Sequence, residues 1–212
     1  MEDLKKRENS WPRIIGAGPG SPQYFTLNLI NSLARANKVF AAERILNVIR
    51  PYTKAELIKL EEDKQFYSMI KNIREEEGTY VLSTGDPMIA GLGPFFVNSL
   101  IEPGISSVQK CASLIHEPLT NSVILSTRYG KNYEKIKPVL ELGLRVYLLP
   151  EPQLNIGTIM RKLATLIKPT SNVAICMNLT LHDQRTYSGT INEFTELKDN
   201  GLKIIFIRPP SL

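Results

Sequence analysis

Asp86 stands between Gly85 and Pro87 in Ser83-Thr-Gly-Asp-Pro-Met-Ile-Ala-Gly91, directly after the apolar run Tyr80-Val81-Leu82. A carboxylate there can accept hydrogen bonds from a hydroxyl or ammonium group, a stronger contact than a neutral acceptor makes. Gly, Asp and Pro are also the commonest turn formers, and Asp caps turns through its own backbone. A turn at the carboxyl end of a strand is nevertheless where open α/β sheets bind ligands. The nonapeptide by itself leaves both readings open.

A second candidate is Ile14-Ile-Gly-Ala-Gly-Pro-Gly-Ser-Pro22, a strand running into a glycine-rich turn. It invites a dinucleotide-binding reading, with Glu43 as the ribose-binding acid. The chemistry of the turn argues against it. Pro19 and Pro22 have no N–H to offer a pyrophosphate, and the next helical pattern waits until about Thr26 instead of opening at once. Ser21 also occupies the place of the third glycine. A P-loop is excluded for want of Gly-Lys-Ser/Thr. A turn rich in glycine but poor in donors still lets a flat, weakly charged ligand approach the backbone closely, a description that suits the adenosine of S-adenosylmethionine.

The elements that must position these turns alternate along the chain. Arg13–Ile15 predicts a short strand, and Leu27, Ile30, Leu33 and Ala34 recur at helical spacing with Thr26 as N-cap. Lys38–Ala42 predicts a second strand and Ile45, Leu46 and Ile49 a helix that Pro51 stops. Glu56–Leu60 predicts a third strand, Phe66, Met69, Ile70 and Ile73 a helix running to about Glu77, and Thr79–Ser83 the strand that feeds Asp86.

In the second half, Pro103-Gly104 with Ser106 and Ser107 opens a helix through His116. Val123–Ser126 is extended, Tyr133–Leu142 helical and Arg145–Leu149 extended. Ile156, Ile159, Leu163 and Leu166 mark one helical face, and Val173–Met177 and Lys203–Ile207 are strands, the last ended by Pro209-Pro210. Alternating strands and helices predict right-handed crossovers and mostly parallel sheets covered on both faces. The Pro103-Gly104 turn divides the chain into an N-terminal α/β domain, residues 1–102, and a C-terminal one, residues 103–212, each of ordinary domain size.

The chain has 212 residues, 42% of them hydrophobic, enough for one substantial core or two smaller ones. No apolar stretch approaches the roughly 20 residues that span a bilayer, and Met1–Arg13 is charged, so the expectation is a cytoplasmic protein with no membrane partner. The formal net charge of +5 is compatible with an anionic partner. Basic residues are dispersed, with Lys5-Lys6-Arg7 the densest run and no aromatic residues interleaved, which disfavours nucleic acid. Cys111 and Cys176 lie inside apolar runs and are expected as small buried residues rather than a disulfide or a metal pair. His116 and His182 sit in polar stretches without a third ligand at useful spacing, so no metal is expected.

The ordered set IIGAGPGSPQYFTLNLI, STGDPMIAGLG, EPGISSVQ, AICMNLT and YSGTI resembles the tetrapyrrole methylases over nearly the whole chain. GPGSPQYFTL, PGISSVQ and NLTLHDQRTYSGTI are most similar to the branch of that family that methylates C5 of cobalt-precorrin-7 in cobalamin biosynthesis. The resemblance implies a two-domain α/β fold, each lobe a mostly parallel or mixed sheet flanked by helices, with S-adenosylmethionine in the interdomain cleft and a homodimeric assembly. It leaves open whether the corrin precursor holds cobalt, or is methylated at another position. Same-fold methylases acting on macromolecules, diphthine synthase or an rRNA methylase, are the alternative.

By position, the resemblance implies that Pro19, Gly85, Asp86, Ile89, Ser106, Ser107, Met177, Gly189 and Thr190 line the cofactor. Glu43 occupies the place of an acidic residue that related uroporphyrinogen methylases use as a base, although this branch usually has no acid there. A substrate carrying many acetate and propionate groups calls for cations, and Arg44, Arg128, Lys131 and Arg185 stand at predicted strand ends, with Tyr129 placed to stack on the ring. Ser126-Thr-Arg-Tyr-Gly-Lys-Asn132 departs from the His-Gly-Arg-like turn expected there. Some corrin enzymes are fused to a domain that methylates C15 and decarboxylates a side chain; here that activity is expected from a separate polypeptide.

Overall fold

Short apolar runs, those at Thr79–Ser83 and Lys203–Ile207 buried throughout, form the central strands of two sheets. The computed structural model describes residues 10–60, 66–73, 75–128 and 130–210. The Lys5-Lys6-Arg7 run and Tyr129 lie outside them. The described chain divides into two compact units, residues 1–107 and 108–212.

The first unit is a five-stranded sheet of β1 (Arg13–Gly16), β2 (Lys38–Ala41), β3 (Glu56–Lys59), β4 (Thr79–Ser83) and β5 (Ile101–Glu102). The order is β3-β2-β4-β1-β5 and every pairing is parallel. Successive residues of the central strands point to opposite faces, as the pleat requires. Ile15, Tyr80 and Leu82 pack on one side with Val39 and Ala41, while Ile14 and Val81 pack on the other with Leu60, Ile70 and Phe96. Helices α1 (Leu27–Leu33) and α2 (Glu43–Ile49) cover the first side through Leu29, Leu33, Ile45, Leu46 and Ile49.

Thr26 caps α1, accepting the Leu29 N–H at 3.1 Å. The inward stripe of α1 is Leu29 and Leu33, however, not the expected one beginning at Leu27, which is 82% exposed. Pro51 ends α2 in a single tight turn, Arg50–Tyr52. Helix α3 (Phe66–Lys71) stops short of the expected Glu77.

The second unit holds α4 (Ser107–Leu114, whose first residue closes the preceding unit), β6 (Ser122–Ser126), α5 (Ile136–Glu141), β7 (Arg145–Leu149), α6 (Ile156–Ala164), β8 (Asn172–Met177), β9 (Arg185–Thr190) and β10 (Lys203–Ile207). Its sheet runs β6-β7-β10-β8-β9. Only β6 and β7 pair in parallel; β7–β10, β10–β8 and β8–β9 are antiparallel, so this sheet is mixed where sequence alternation predicted a mostly parallel one. The cause is β9. Its polar sequence, Arg-Thr-Tyr-Ser-Gly-Thr, concealed a strand that returns directly after β8 without a helical crossover.

Cys111 on α4 and Cys176 on β8 are both fully buried, as expected, but they are joined in a disulfide, which corrects the expectation of two separate thiols. Val108, Cys111 and Ala112 form the inward face of α4, and that face sets the Cα atoms of the two cysteines 5.8 Å apart across 65 residues of sequence. The rest of this core is built from Ile136, Leu148, Ile159, Leu163, Ile175 and Ile205 with their neighbours.

Candidate functional site

Because all five strands of the first sheet are parallel, the turns after β1, β2, β4 and β5 leave from one edge. That single fact brings Pro19, Glu43, Arg44, Gly85, Asp86, Ile89, Ser106 and Ser107 to the carboxyl edge of this sheet. In the strand order, β1 connects to one side and its neighbour β4 to the other, so the β1–β4 boundary is a topological switch point, the place where open α/β sheets hold ligands.

The turns at that point are tied together by backbone. Gly18 and Gly85 form an antiparallel bridge, with Gly85 N donating to Gly18 O at 2.7 Å and Gly18 N to Gly85 O at 3.3 Å. Both glycines have positive φ, +71° and +69°. Gly16 and Gly104 face each other so closely that a β-carbon on Gly104 would stand 2.6 Å from the Gly16 Cα and 2.5 Å from Gly85 O. Ala17 N is also engaged, by Ser83 O at 2.8 Å. The amides of residues 17, 18 and 85 therefore have nothing left for a pyrophosphate, which supports the exclusion of a dinucleotide cradle.

Asp86 joins two of these turns. Its Oδ1 accepts the Met88 N–H at 2.7 Å and its Oδ2 the Gly104 N–H at 3.1 Å, so one carboxylate holds the turn after β4 against the turn after β5. An ionised carboxylate has about four lone-pair sites, so these two bonds leave acceptor capacity for a ligand hydroxyl or ammonium group. Pro19 and Ser106 are buried beside these turns and Ile89 is half-buried. Glu43 opens α2, is exposed, and pairs with Lys59 at 3.0 Å. Arg44 follows it, half-buried.

The second unit distributes its candidates differently. In the β8–β9 register Met177 stands opposite Arg185, whereas Gly189 stands opposite Val173 and Thr190 opposite Asn172. Met177 and Gly189 are thus four register positions apart, about 13 Å at strand rise, and are not brought together. Met177 is fully buried. Gly189 lines a cavity of about 250 Å³ with Ile115, Glu117, Val173, Phe206 and Arg208. Thr190 is held by Glu193, whose Oε2 accepts the Thr190 hydroxyl at 3.1 Å. Arg185 is ion-paired to Asp199 at 3.1 Å. Arg128 and Lys131 are exposed on the turn after β6. Among the described residues, no group of three His, Cys, Asp or Glu side chains could hold a metal.

One cluster escaped the sequence reading. Glu151, Tyr133, Thr127 and Lys162 meet at the carboxyl end of β6 and β7, with Tyr133 donating to Glu151 at 2.6 Å. The signal was present: Leu148-Leu149-Pro150-Glu151-Pro152 sets an acid beside prolines directly after an apolar strand, much as Asp86-Pro87 does. Burial and the hydrogen bond to the Glu151 carboxylate push the Tyr133 hydroxyl above the usual tyrosine range.

Residues 13–195 match the family Tetrapyrrole (Corrin/Porphyrin) Methylases. The chain belongs to that family. A probable cobalt-precorrin-7 C(5)-methyltransferase from Methanocaldococcus jannaschii is 26% identical over 205 residues, spanning 85% of this chain and 89% of that protein. A siroheme synthase from Gluconobacter oxydans is 29% identical over 142 residues, which span 57% of this chain but only 29% of that longer protein. Among solved structures, the precorrin-6Y methylase of Archaeoglobus fulgidus superimposes with a TM-score of 0.74 at 22% identity, covering 93% of this chain and 97% of that one. The uroporphyrin-III C-methyltransferase of Thermus thermophilus, in complex with S-adenosyl homocysteine, gives 0.74 at 19% identity, covering 93% and 97%. The two-sheet α/β fold of this methylase is thus the fold of its family, and the family's chemistry is methyl transfer to tetrapyrroles.

Proposed function

We propose that this methylase transfers the methyl group of S-adenosylmethionine to C5 of a precorrin-7-type ring, with or without cobalt, as a step of cobalamin biosynthesis. The observation that carries the reading is the convergence of the turns after β1, β4 and β5 on Asp86 at the switch point of a parallel sheet. The residues there fit the cofactor. Glycines 16, 85 and 104 let the three turns pack closely on one another, and Asp86 retains acceptor capacity for a ribose hydroxyl or the amino-acid ammonium.

Pro19, Gly85, Asp86, Ile89, Ser106 and Ser107 would hold the donor, whereas the β8–β9 register does not gather Met177, Gly189 and Thr190 into one contact set. The sulfonium methyl carries its own activation. What the chain must supply is alignment of an electron-rich ring carbon within about 3–3.5 Å of that methyl, and exclusion of water. Arg44, Arg128, Lys131 and Arg185 would bind the ring carboxylates, and Tyr129 would stack on the macrocycle. Arg185 would have to exchange its Asp199 pair for a substrate carboxylate. Glu43, exposed beside Lys59, would take a ring proton if one leaves. The working assembly in this proposal is a homodimer.

The relative from Methanocaldococcus jannaschii, matched along most of its length, supports C5 of cobalt-precorrin-7 as the target. A second reading has its own support: a uroporphyrinogen-III C-methyltransferase from Methanobacterium ivanovii is 24% identical over 227 residues, spanning 94% of this chain and 93% of that protein. Parallel incubations with labelled S-adenosylmethionine and either cobalt-precorrin-7 or uroporphyrinogen III, analysed by mass, separate the two. Label in the first ring alone is expected; label in the second alone would move the assignment to uroporphyrinogen, and label in neither would remove both assignments.

A further inference from the structure

Glu151 is 4% exposed and lies two residues beyond β7. A carboxylate is costly to bury unless its oxygens are filled, and here they are. Oε2 accepts both the Tyr133 hydroxyl, at 2.6 Å, and the Thr127 hydroxyl, at 3.2 Å; Oε1 accepts the Lys162 ammonium at 3.3 Å. Lys162 also stands 3.6 Å above the Tyr133 ring, closing the cluster. Burial acts to raise the Glu151 carboxyl, but the hydrogen bonds from Tyr133 and Lys162 and the ammonium charge outweigh it and hold the group below its ordinary value.

Thr127 and Tyr133 are the two ends of the turn that follows β6. Other bonds tie that turn to β7 and close it on itself. Thr127 N donates to Leu149 O at 2.9 Å, Gly130 N to Thr127 O at 2.8 Å, and the Asn132 side-chain amide to Ser126 O at 2.9 Å. Asn132 takes the left-handed conformation this closure needs, with φ +66°. What the closed turn presents at its tip is two exposed cations, Arg128 and Lys131.

We infer that Glu151 is a positioning residue for substrate: by holding Thr127 and Tyr133 on one carboxylate oxygen, it fixes the turn whose tip offers Arg128 and Lys131 to the carboxylates of the ring. This rests on the reading of the substrate as a polycarboxylate tetrapyrrole. A carboxylate suits the task because one atom can bind two hydroxyls while its partner oxygen is anchored to α6 through Lys162. Glutamine would keep one acceptor oxygen and lose the ion pair.

The test measures binding of uroporphyrin III, an octacarboxylate probe, by fluorescence, with S-adenosyl homocysteine binding by calorimetry as the control. Glu151→Gln should weaken the probe about tenfold, which corresponds to about 1.4 kcal/mol, and leave the S-adenosyl homocysteine affinity unchanged. In an Arg128→Ala, Lys131→Ala background the same substitution should have no further effect on the probe, because its influence passes through those two side chains. Additive losses in that background, or an unchanged probe affinity in Glu151→Gln, would overturn the inference. Should Glu151→Gln fail to fold, Tyr133→Phe removes one tether while keeping the ring under Lys162, and the same two outcomes decide. Failure of the wild-type protein to bind the probe would instead refute the polycarboxylate reading, and the inference with it.

Discussion

Replacing Asp86 by asparagine separates its backbone role from its proposed cofactor role. The amide keeps one acceptor oxygen and puts an NH₂ where the other oxygen was. With its oxygen placed to retain the 2.7 Å bond from Met88 N–H, the new NH₂ faces the Gly104 N–H, which now donates to Asp86 Oδ2 at 3.1 Å. Loss of one charge-assisted bond at a partly exposed site should cost about 1.5–2 kcal/mol of stability. If the carboxylate also accepts from the cofactor, losing its charge costs a similar amount again in binding, a weakening of about 10–30-fold at 1.4 kcal/mol per decade. The assay pairs urea unfolding with calorimetric titration of S-adenosyl homocysteine. A variant less stable by the stated amount that binds as tightly as wild type would show that Asp86 only ties turns together, and the cofactor assignment of this residue would be wrong.

Gly104→Ala would drive a β-carbon to 2.5–2.7 Å from Gly85 O and Gly16, costing about 1–3 kcal/mol and at least tenfold in S-adenosyl homocysteine affinity. Gly143→Ala, at φ +75° with no atom within 4 Å, should cost about 1 kcal/mol of stability and no affinity, which an equal loss of affinity would contradict. Reducing the Cys111–Cys176 bond, which closes a loop of 65 residues, should lower the unfolding free energy by about 4 kcal/mol in denaturant titrations with and without reductant, and no change would argue against the bond. Burial, with the Glu117 charge adding to it, pushes the Tyr147 hydroxyl up to about 12, and Tyr133 is raised too. A raised folded value means stability is complete below the ordinary tyrosine value near 10 and falls as pH rises through it toward 12, a loss that Tyr147→Phe should reduce in unfolding measured against pH. Glu151 works in the opposite sense: its depressed value contributes stability that is present above about pH 4.5 and lost below it, and Glu151→Gln should flatten that acid limb.

The first sheet was legible because its central strands are buried on both faces and so appear as uninterrupted apolar runs such as Tyr80-Val81-Leu82. The helix caps and breakers, Thr26 and Pro51, act through neighbours a few residues away and were legible for the same local reason. β9 was not, since its exposed residues, alternating with the half-buried Tyr187 and Gly189, carry no apolar pattern. The disulfide depends on where α4 is laid against β8, and no spacing of two cysteines 65 residues apart encodes that. At the site, the type and position of Asp86 could be read, but its second bond runs to Gly104, 18 residues on, and only the parallel sheet brings that partner close. Glu151 draws its partners from the two ends of the turn after β6 and from α6, whose meeting is a property of the sheet order that no local spacing encodes.

Hydrogen exchange with and without S-adenosyl homocysteine asks most directly whether the carboxyl edge of the first sheet holds the donor. Exchange in residues 84–89 and 104–107 should slow when the ligand is added, centred on the amides that Asp86 binds. Unaltered exchange in both turns while calorimetry registers binding would contradict a donor site there and place it elsewhere.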